Sequence, residues 1–410
     1  MTSTSPRYTS TGSDQDVSAD AIPAASSDAG RAAGGRRATG LAVPRRRRVV
    51  MFVSATAGTG IAALALGMWL GGNLTESQID GLAVGGTGDL TGWGLPAAKL
   101  VLDLSSVGVI GLLLACLLLP GAARGAAGGD TAATARRCLR TATWLALAWA
   151  VANAALLLFS WSDVVAQPVT DLPLGKIFTD TAGTFPDAGG YITSTALALV
   201  IAAGVAVTET GRGAIVLLPL AIYNLVPMAL EGHASHGTVL KYSIAVHVIA
   251  VSLWVGGLAA LLVHVRGKPA LLAVTVPRFS TIALACYTAI AATGIVAGWE
   301  LLGSVPAVWG SRYGVVVMLK AGALVTLGIF GWWHRRRTVP PIRTDGGPRS
   351  RRAFVRLAAA EVAVMVAAVA IAVALSRSAS PDTILLHSNR KAISAPAVRP
   401  GGPAAAAARP

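Results

Sequence analysis

Long apolar segments separated by short polar segments repeat along most of the chain. A helix needs roughly 20 apolar residues to cross a bilayer, and its backbone polar groups must be bonded internally there. The pattern therefore predicts an all-α, polytopic transmembrane helix bundle of about nine spans. The predicted spans cover residues 49–70, 97–119, 140–160, 191–208, 213–230, 239–264, 276–300, 314–333 and 355–376.

Composition agrees with this pattern and excludes a soluble domain. The chain is 54% hydrophobic and 13% charged, whereas soluble domains carry about 25% charged residues. Residues 1–48, with almost no aromatic side chains, are predicted to form a disordered, basic cytoplasmic tail. Residues 49–376 form the predicted transmembrane domain, and residues 377–410 a flexible tail rich in alanine and proline.

The positive charge predicts the orientation of the bundle, not binding to nucleic acid. The formal net charge is +15, and the basic residues cluster in alternate segments between the apolar ones. The loops between helices on the opposite side hold only Lys176 and Arg312 as basic residues and are otherwise acidic. Because basic segments are retained on the cytoplasmic side, we expect a cytoplasmic N-terminus, an outer C-terminal tail and no nucleic-acid partner.

Candidate metal ligands are concentrated where the fifth and sixth predicted spans meet the outer surface. Imidazole binds copper, zinc, nickel or iron, thioether accepts Cu(I), and imidazole with carboxylate accepts Cu(II). Alternatively, the loop histidines are simply solvated, and the histidine within the sixth span forms a hydrogen bond across a helix interface. The candidate ligands are Met228, Glu231, His233 and His236 in the loop, and His247 about seven residues into the sixth span.

The sixth predicted span also carries a pattern that favours close helix packing. Trp254 follows His247 by seven residues, so the two side chains share one face of the helix. Gly256 and Gly257 come next, and small residues let a neighbouring membrane helix approach closely. We therefore expect this helix to pack tightly against a neighbour near its candidate ligand.

Polar residues from five predicted spans fall at a similar depth, roughly 9–11 Å below the outer surface at 1.5 Å per residue. Such groups are costly against lipid, so we expect an intramembrane polar layer inside the bundle. Its members are Asp103, Asn153, Asn224, His247 and Lys320. Asp103 has two candidate partners, Lys99 one turn earlier and Lys320 on another helix.

The remaining reactive side chains suggest no catalytic chemistry. Cys116, Cys138 and Cys286 are scattered and are expected to be small apolar core residues. Glu361 is expected to pair with Arg352 or Arg356, and His334 to lie at the inner membrane interface. Because the sequence has no nucleophile–base pair, redox cysteine pair or ATP-binding loop, we expect no enzymatic activity.

An ordered series of motifs resembles the copper resistance D family of bacterial membrane proteins. The series is His247-Val-Ile-Ala-Val-Ser-Leu-Trp-Val-Gly-Gly-Leu258, Arg278-Phe-Ser280, Ala292-Thr-Gly-Ile-Val-Ala-Gly-Trp299, Tyr313-Gly314, Lys320 and Arg335-Arg-Arg337. The close resemblance covers about residues 240–340, and the nine-span layout is compatible with it over 49–376. In this family a cytochrome oxidase assembly domain is often fused after such spans, and we expect this chain to lack it.

The resemblance implies a multi-pass protein of the bacterial cytoplasmic membrane that transports copper, commonly inward, as Cu(I) or Cu(II). It implies copper handling by His247 and, less directly, by Met228, His233 and His236. It also implies a partner outside the membrane, a small copper-binding protein. Two other functions remain open, a copper-presenting membrane assembly factor and a b-type haem protein. The haem protein would need a second axial ligand, since only His247 clearly lies at membrane depth.

Overall fold

The computed structural model describes ten α-helices within residues 45–70, 88–125, 127–165, 167–173, 175, 188–227, 238–302, 312–344 and 347–375. No strand occurs in these ranges. The helices are α1 (Arg45–Leu70), α2 (Gly88–Leu118), α3 (Gly129–Val165), α4 (Ala188–Val207), α5 (Ala214–Tyr223), α6 (Thr238–Ala260), α7 (Pro269–Leu302), α8 (Arg312–Trp333), α9 (Val339–Thr344) and α10 (Pro348–Leu375). Short 3-10 turns lie at Val169–Asp171 and Gly211–Gly213, and π-helical turns at Leu261–Val265 and His334–Thr338.

The prediction of an all-α, polytopic transmembrane bundle is confirmed. Seven helices among the described residues are long and apolar enough to cross a membrane. The first and fifth predicted spans correspond to shorter described apolar helices, Ser54–Leu66 and Gly211–Tyr223, so the count of nine stays a prediction. The seven longer segments are Gly88–Leu118, Gly129–Val165, Ala188–Val207, Thr238–Val265, Pro269–Glu300, Val317–Ile342 and Pro348–Val373.

Helix α5 is the main departure from the predicted spans. Hydropathy predicts a helix over 213–230, but the α-helix runs only from Ala214 to Tyr223 and turns at Asn224. Its 10 residues extend about 15 Å, roughly half of the hydrocarbon thickness. Hydropathy misses this turn because the apolar residues continue beyond it. As a result, Asn224 lies at a helix end.

Several helices are longer than their predicted spans. Helix α3 has 37 residues and begins at Gly129, well before the predicted start at residue 140. Helix α10 likewise begins at Pro348, before residue 355. Hydropathy detects the membrane-embedded part of a helix, whereas these helices continue into basic segments. Residues 1–44 and 376–410, which include most of both predicted tails, lie outside the described residues.

Helix α2 is the central helix of the described bundle. It packs against α3, α5, α6 and α10, and α3 in turn packs against α4. Most of its apolar residues are buried, including Val109, Ile110 and Leu113, which are fully inaccessible. Side chains from α2, α3, α4, α5, α6 and α7 form one continuous apolar core. The polar groups described below therefore lie among packed helices.

Basic side chains connect the turns at one end of the bundle. Arg212, in the turn between α4 and α5, donates from Nη2 to the backbone oxygen of Arg124, at 2.7 Å. Lys268, between α6 and α7, forms an ion pair with Asp130 at the start of α3. The turns after α2, α4 and α6 therefore meet at the same end, as the alternation of basic segments predicts. The assignment of this end to the cytoplasm stays a prediction.

Candidate functional site

The predicted histidine loop lies outside the described residues. Its four candidate ligands, Met228, Glu231, His233 and His236, fall within residues 228–237, which separate α5 from α6. Their role in metal binding therefore stays a prediction. The described part of the chain contains no group of three or more His, Cys, Asp or Glu side chains arranged to hold a metal ion. The candidate site is thus built from the residues that follow the loop.

His247 is held against α7 by a hydrogen bond to Thr293. The ring atom Nδ1 lies 2.9 Å from Thr293 Oγ1. The Thr293 hydroxyl donates to the backbone oxygen of Ala289, at 2.8 Å. When the Thr293 hydroxyl hydrogen is used in that bond, Thr293 Oγ1 accepts from His247, and Nδ1 carries the ring proton. Ser243 reinforces the contact, since its hydroxyl donates to the Thr293 backbone oxygen at 3.3 Å.

This hydrogen-bond arrangement leaves Nε2 of a neutral His247 as a lone-pair donor. Metal-binding histidines almost always donate their second ring N–H to a protein group, which fixes the tautomer and the ring orientation. Thr293 is such a group. Among the described residues, Nε2 of His247 has no hydrogen-bond partner. The arrangement therefore suits a single imidazole ligand inside the bundle.

Trp254 lies on the same face of α6 as His247 and contacts the same neighbouring helix. Its ring meets Tyr287 of α7 edge to face, with centroids 5.8 Å apart and planes at 89°. The indole is almost completely buried. Edge-to-face aromatic pairs contribute about 0.5–1.5 kcal/mol beyond their buried area. Trp254 thus helps to fix the orientation of α6 against α7, and with it the position of His247.

Gly256 and Gly257 bring α6 into direct contact with two helices. A Cβ atom on Gly256 would overlap the backbone oxygen of Val107 in α2. A Cβ atom on Gly111 of α2 would overlap the Gly256 backbone in the same way, so the two helices touch backbone to backbone. A Cβ atom on Gly257 would overlap the ring of Phe279 in α7. Close packing therefore places the helix of His247 between α2 and α7.

Two members of the predicted polar layer, Asn153 of α3 and Asn224 after α5, meet at one residue of α4. Asn153 Nδ2 donates to Ser194 Oγ at 3.0 Å, and Asn224 Nδ2 donates to the Ser194 backbone oxygen at 3.2 Å. All three residues are fully buried. Within the described part of the chain, neither amide oxygen has a hydrogen-bond partner. Sequence reasoning missed Ser194, because a serine in an apolar helix carries no signal of its own.

Asp103 and Lys320 lie in different surroundings. Asp103 pairs with Lys99, with Lys99 Nζ 2.8 Å from the carboxylate, which is the first of its two predicted pairings. Lys320 lies close enough to His247 for its charge to act on the imidazole. It has no ion-pair partner among the described residues. The structure therefore brings Asn153 to Asn224 and Lys320 near His247, and a single continuous layer stays a prediction.

A buried His–Glu pair was not expected from the sequence. His334 Nε2 lies 3.2 Å from Glu361 Oε2, an ion-pair distance without hydrogen-bond alignment. Its Nδ1 lies 2.8 Å from Thr338 Oγ1. Both His334 and Glu361 are buried. Among the described residues, the expected pairing of Glu361 with Arg352 or Arg356 is not observed. Arg352 instead donates to the backbone of its own helix.

Replacing Ser194 with alanine tests the buried amide cluster. The change removes the hydroxyl that accepts from Asn153 and leaves that buried N–H without a partner, which costs about 1–3 kcal/mol. We expect a lower melting temperature of the purified protein in detergent. Thr195→Ala is the control, because the Thr195 hydroxyl bonds only within α4, to Tyr191. Equal melting temperatures for the two variants would contradict the assigned role of Ser194.

Comparison with protein families gives two matches that together cover more than half of the chain. Residues 88–242 match the model described as Copper resistance protein D-like, N-terminal domain, and residues 273–375 match Copper resistance protein D. No curated protein and no solved structure matches the chain. His247 lies between the two matched regions, so these matches are independent of it. They cover α2 to the beginning of α6 and most of α7 to α10.

Proposed function

Since the chain belongs to the copper resistance protein D family, we propose that it transports copper ions across the cytoplasmic membrane, with uptake as the direction. A role in copper handling and a location in a membrane follow from the family and the apolar helices. The observation that carries the finer proposal is His247. Thr293 fixes its ring through Nδ1, and Nε2 remains as a donor inside a packed membrane bundle.

In this proposal copper is the substrate, and the outer loop delivers it to His247. Met228, Glu231, His233 and His236 provide thioether, carboxylate and imidazole donors immediately before α6. These donor types accept Cu(I) or Cu(II). His247 follows the last of them by eleven residues, about three helical turns. An ion released from the loop would reach His247 as the first fixed ligand within the membrane.

Lys320 is proposed to control the passage of the ion. A cation near His247 meets the charge of this ammonium group, so free conduction of a positive ion is opposed. The ion therefore needs an accompanying negative ligand, or the Lys320 side chain must move away from the path. This argues for a gated transporter that forms no open channel. Neutral oxygen atoms of Asn153 and Asn224 provide further polar contacts in the bundle.

A second candidate function is a membrane assembly factor that presents copper without moving it. The histidine loop fits this function as well, together with a partner outside the membrane, such as a small copper-binding protein. The position of the partly buried His247 ring within the bundle favours transport, because a presenting site has to be reached by its partner. A b-type haem protein is less well supported, since His247 alone clearly lies at membrane depth in the sequence and a haem would need a second axial ligand.

Cell-associated copper measured by elemental mass spectrometry tests the proposal. We expect copper, but not zinc, to rise when the wild-type protein is produced, relative to cells with an empty vector. A His233→Ala/His236→Ala variant at matched membrane levels is expected to reduce this rise severalfold. Copper that falls with the wild type would show export. Unchanged copper would refute transport and favour the assembly function.

A further inference from the structure

The buried His–Glu pair brings a ring nitrogen into contact with a carboxylate without a hydrogen bond between them. His334 begins the π-helical turn after α8, and Glu361 lies on α10. His334 Nε2 lies 3.2 Å from Glu361 Oε2, yet it has no hydrogen-bond partner among the described residues. The two side chains keep only 10% and 4% of their surface exposed. Some other interaction must therefore make this contact favourable.

Thr338 fixes the tautomer of the His334 ring. Nδ1 lies 2.8 Å from Thr338 Oγ1, and the Thr338 hydroxyl donates to the His334 backbone oxygen, also at 2.8 Å. When the hydroxyl hydrogen is used in that bond, Oγ1 accepts from His334, and Nδ1 carries the ring proton. Nε2 of the neutral ring then presents a lone pair to the carboxylate. Two such acceptors repel each other unless a cation lies between them.

The distance between the two acceptors fits two ligands of one metal ion. Imidazole nitrogen and carboxylate oxygen bind a metal at about 2.0–2.2 Å, so two of them lie about 2.9 Å apart at a right angle and about 3.4 Å apart at a tetrahedral angle. The observed distance of 3.2 Å falls between these values. Metal-binding histidines also almost always donate their second ring N–H to a protein group, as His334 does to Thr338.

We propose that His334 and Glu361 bind one Cu(II) ion between the end of α8 and α10, an inference that rests on the proposed function in copper transport. Imidazole with carboxylate accepts Cu(II). Nε2 and the carboxylate each give a lone pair to the ion, and copper stays Cu(II), so no oxidant or reductant takes part. Water supplies the remaining ligands, since no group of three His, Cys, Asp or Glu side chains is found in the described part of the chain.

Helix α10 holds both sides of the pair in place. Phe354 and Glu361 lie two turns apart on one face of this helix. The Phe354 ring meets the His334 ring edge to face, with centroids 5.3 Å apart. Ala358, between them on the same face, is fully buried and small enough to admit the π-helical turn. Turns of this kind are frequent at functional sites.

The three arginines that follow His334 make their contacts elsewhere. All three are exposed, whereas His334 is buried. Arg335 donates to the hydroxyl and the backbone oxygen of Ser280, at 3.1 and 3.2 Å. Arg336 and Arg337 each lie over a tryptophan ring at the end of α8, 5.3 and 5.7 Å from its centroid. The carboxylate beside His334 thus has no arginine partner among the described residues and can bind a cation.

The pair lies at the predicted cytoplasmic end of the bundle. His334 directly follows the eighth predicted span, and Glu361 lies six residues after the start of the ninth. The predicted histidine loop and His247 belong to the outer end. An ion in transit must be able to leave each site that binds it, and two protein ligands hold a metal less firmly than four. The pair is therefore suited to be the last site before release.

Binding of Cu(II) to the purified, tag-free full-length protein in detergent tests the site. The background protein carries His233→Ala, His236→Ala and His247→Ala, which removes the proposed outer histidine ligands. Electron paramagnetic resonance counts bound Cu(II), and its pulsed form detects imidazole nitrogen bound to the ion. We expect the background protein to bind one Cu(II) ion through one imidazole, and further substitutions to identify that ring as His334.

Four further variants of the background protein are compared. His334→Ala and Glu361→Gln are each expected to weaken Cu(II) binding at least about tenfold, because even loss of the group that orients a metal-binding histidine costs about 10–100-fold. Thr338→Val removes only that orienting group and should fall in the same range. His264→Ala, at a partly buried histidine in the other π-helical turn, is the matched control and should bind like the background.

The outcomes separate this site from the proposed transport function. Glutamine keeps the size of the side chain, so a Glu361→Gln protein that elutes as folded and keeps the background affinity would overturn the site. An imidazole signal that persists in His334→Ala would do the same, even if cells still accumulate copper, and would leave the two residues as an ion pair. Cu(II) bound through His334 in a protein that does not change cell copper would support the site and refute transport.

Discussion

Replacing His247 with alanine is expected to abolish copper accumulation while the protein remains inserted at wild-type levels. In the proposed mechanism the imidazole is the fixed ligand that follows the outer loop, and alanine offers no donor in its place. Because His247 is partly buried and bonds to Thr293, its loss should lower stability only modestly. The measurement is cell-associated copper by elemental mass spectrometry, normalised to membrane protein level.

Thr293→Val distinguishes the effect of positioning the His247 ring from a general loss of protein stability. Valine has nearly the same shape but cannot accept from His247 Nδ1, so the ring loses its fixed tautomer. We expect about a 10–100-fold loss of copper affinity or transport rate. Thr288→Val, on the same helix with an exposed hydroxyl bonded to its own backbone, should change neither. Wild-type copper accumulation in an inserted His247→Ala protein would remove His247 from the mechanism.

Replacing Gly111 or Gly256 with alanine is expected to destabilise the bundle more than the other substitutions proposed above. The added Cβ would overlap backbone atoms of the facing helix, and backbone cannot rotate away as a side chain can. Overpacking costs typically 1–3 kcal/mol and occasionally more, and we expect about 3 kcal/mol at this crossing. Helices α2 and α6 would have to separate, so the His247 region would also be disturbed.

The measurement is thermal unfolding in detergent, followed by size-exclusion chromatography of heated samples. Gly294→Ala in α7 is the matched control, because a Cβ there meets nothing within 4 Å. In that variant the helix propensity of alanine gives a gain of up to about 1 kcal/mol. We therefore expect the control to melt at or above the wild-type temperature. A Gly256→Ala protein as stable as the control would show that α2 and α6 are not held this closely.

The presence and class of the helices were readable from the sequence because the bilayer imposes a length and an apolar composition on each span. The positions of the helix ends were harder to predict from the sequence. Helix α3 begins about ten residues earlier than hydropathy predicts, since a helix continues into water wherever its residues allow. Helix α5 ends early at Tyr223. Hydropathy does not detect this end, because apolar residues are found in a helix and in a buried turn alike.

The partners of polar residues were harder to predict because most of them lie on other helices. His247 was identified as a candidate from its depth, yet Thr293, 46 positions away, carries no signal of its role. The pairing of Glu361 with His334 was missed for the same reason, since nearby arginines on its own helix were the visible alternative. By contrast, Lys99 and Asp103, one turn apart on α2, form a pair that spacing alone predicts.

The packing of the first helix against the last one constrains the order of biosynthesis. Leu64 of α1 packs with Ala370 and Val373 of α10, and Gly60 lies close to Val366. Roughly 280 residues separate the two helices, and ribosomes add about 5–20 residues per second. Helix α1 therefore waits tens of seconds in the membrane before its partner emerges. During that interval its contact face is open to chaperones and membrane proteases, so a slow or interrupted ribosome should lower the yield of mature protein.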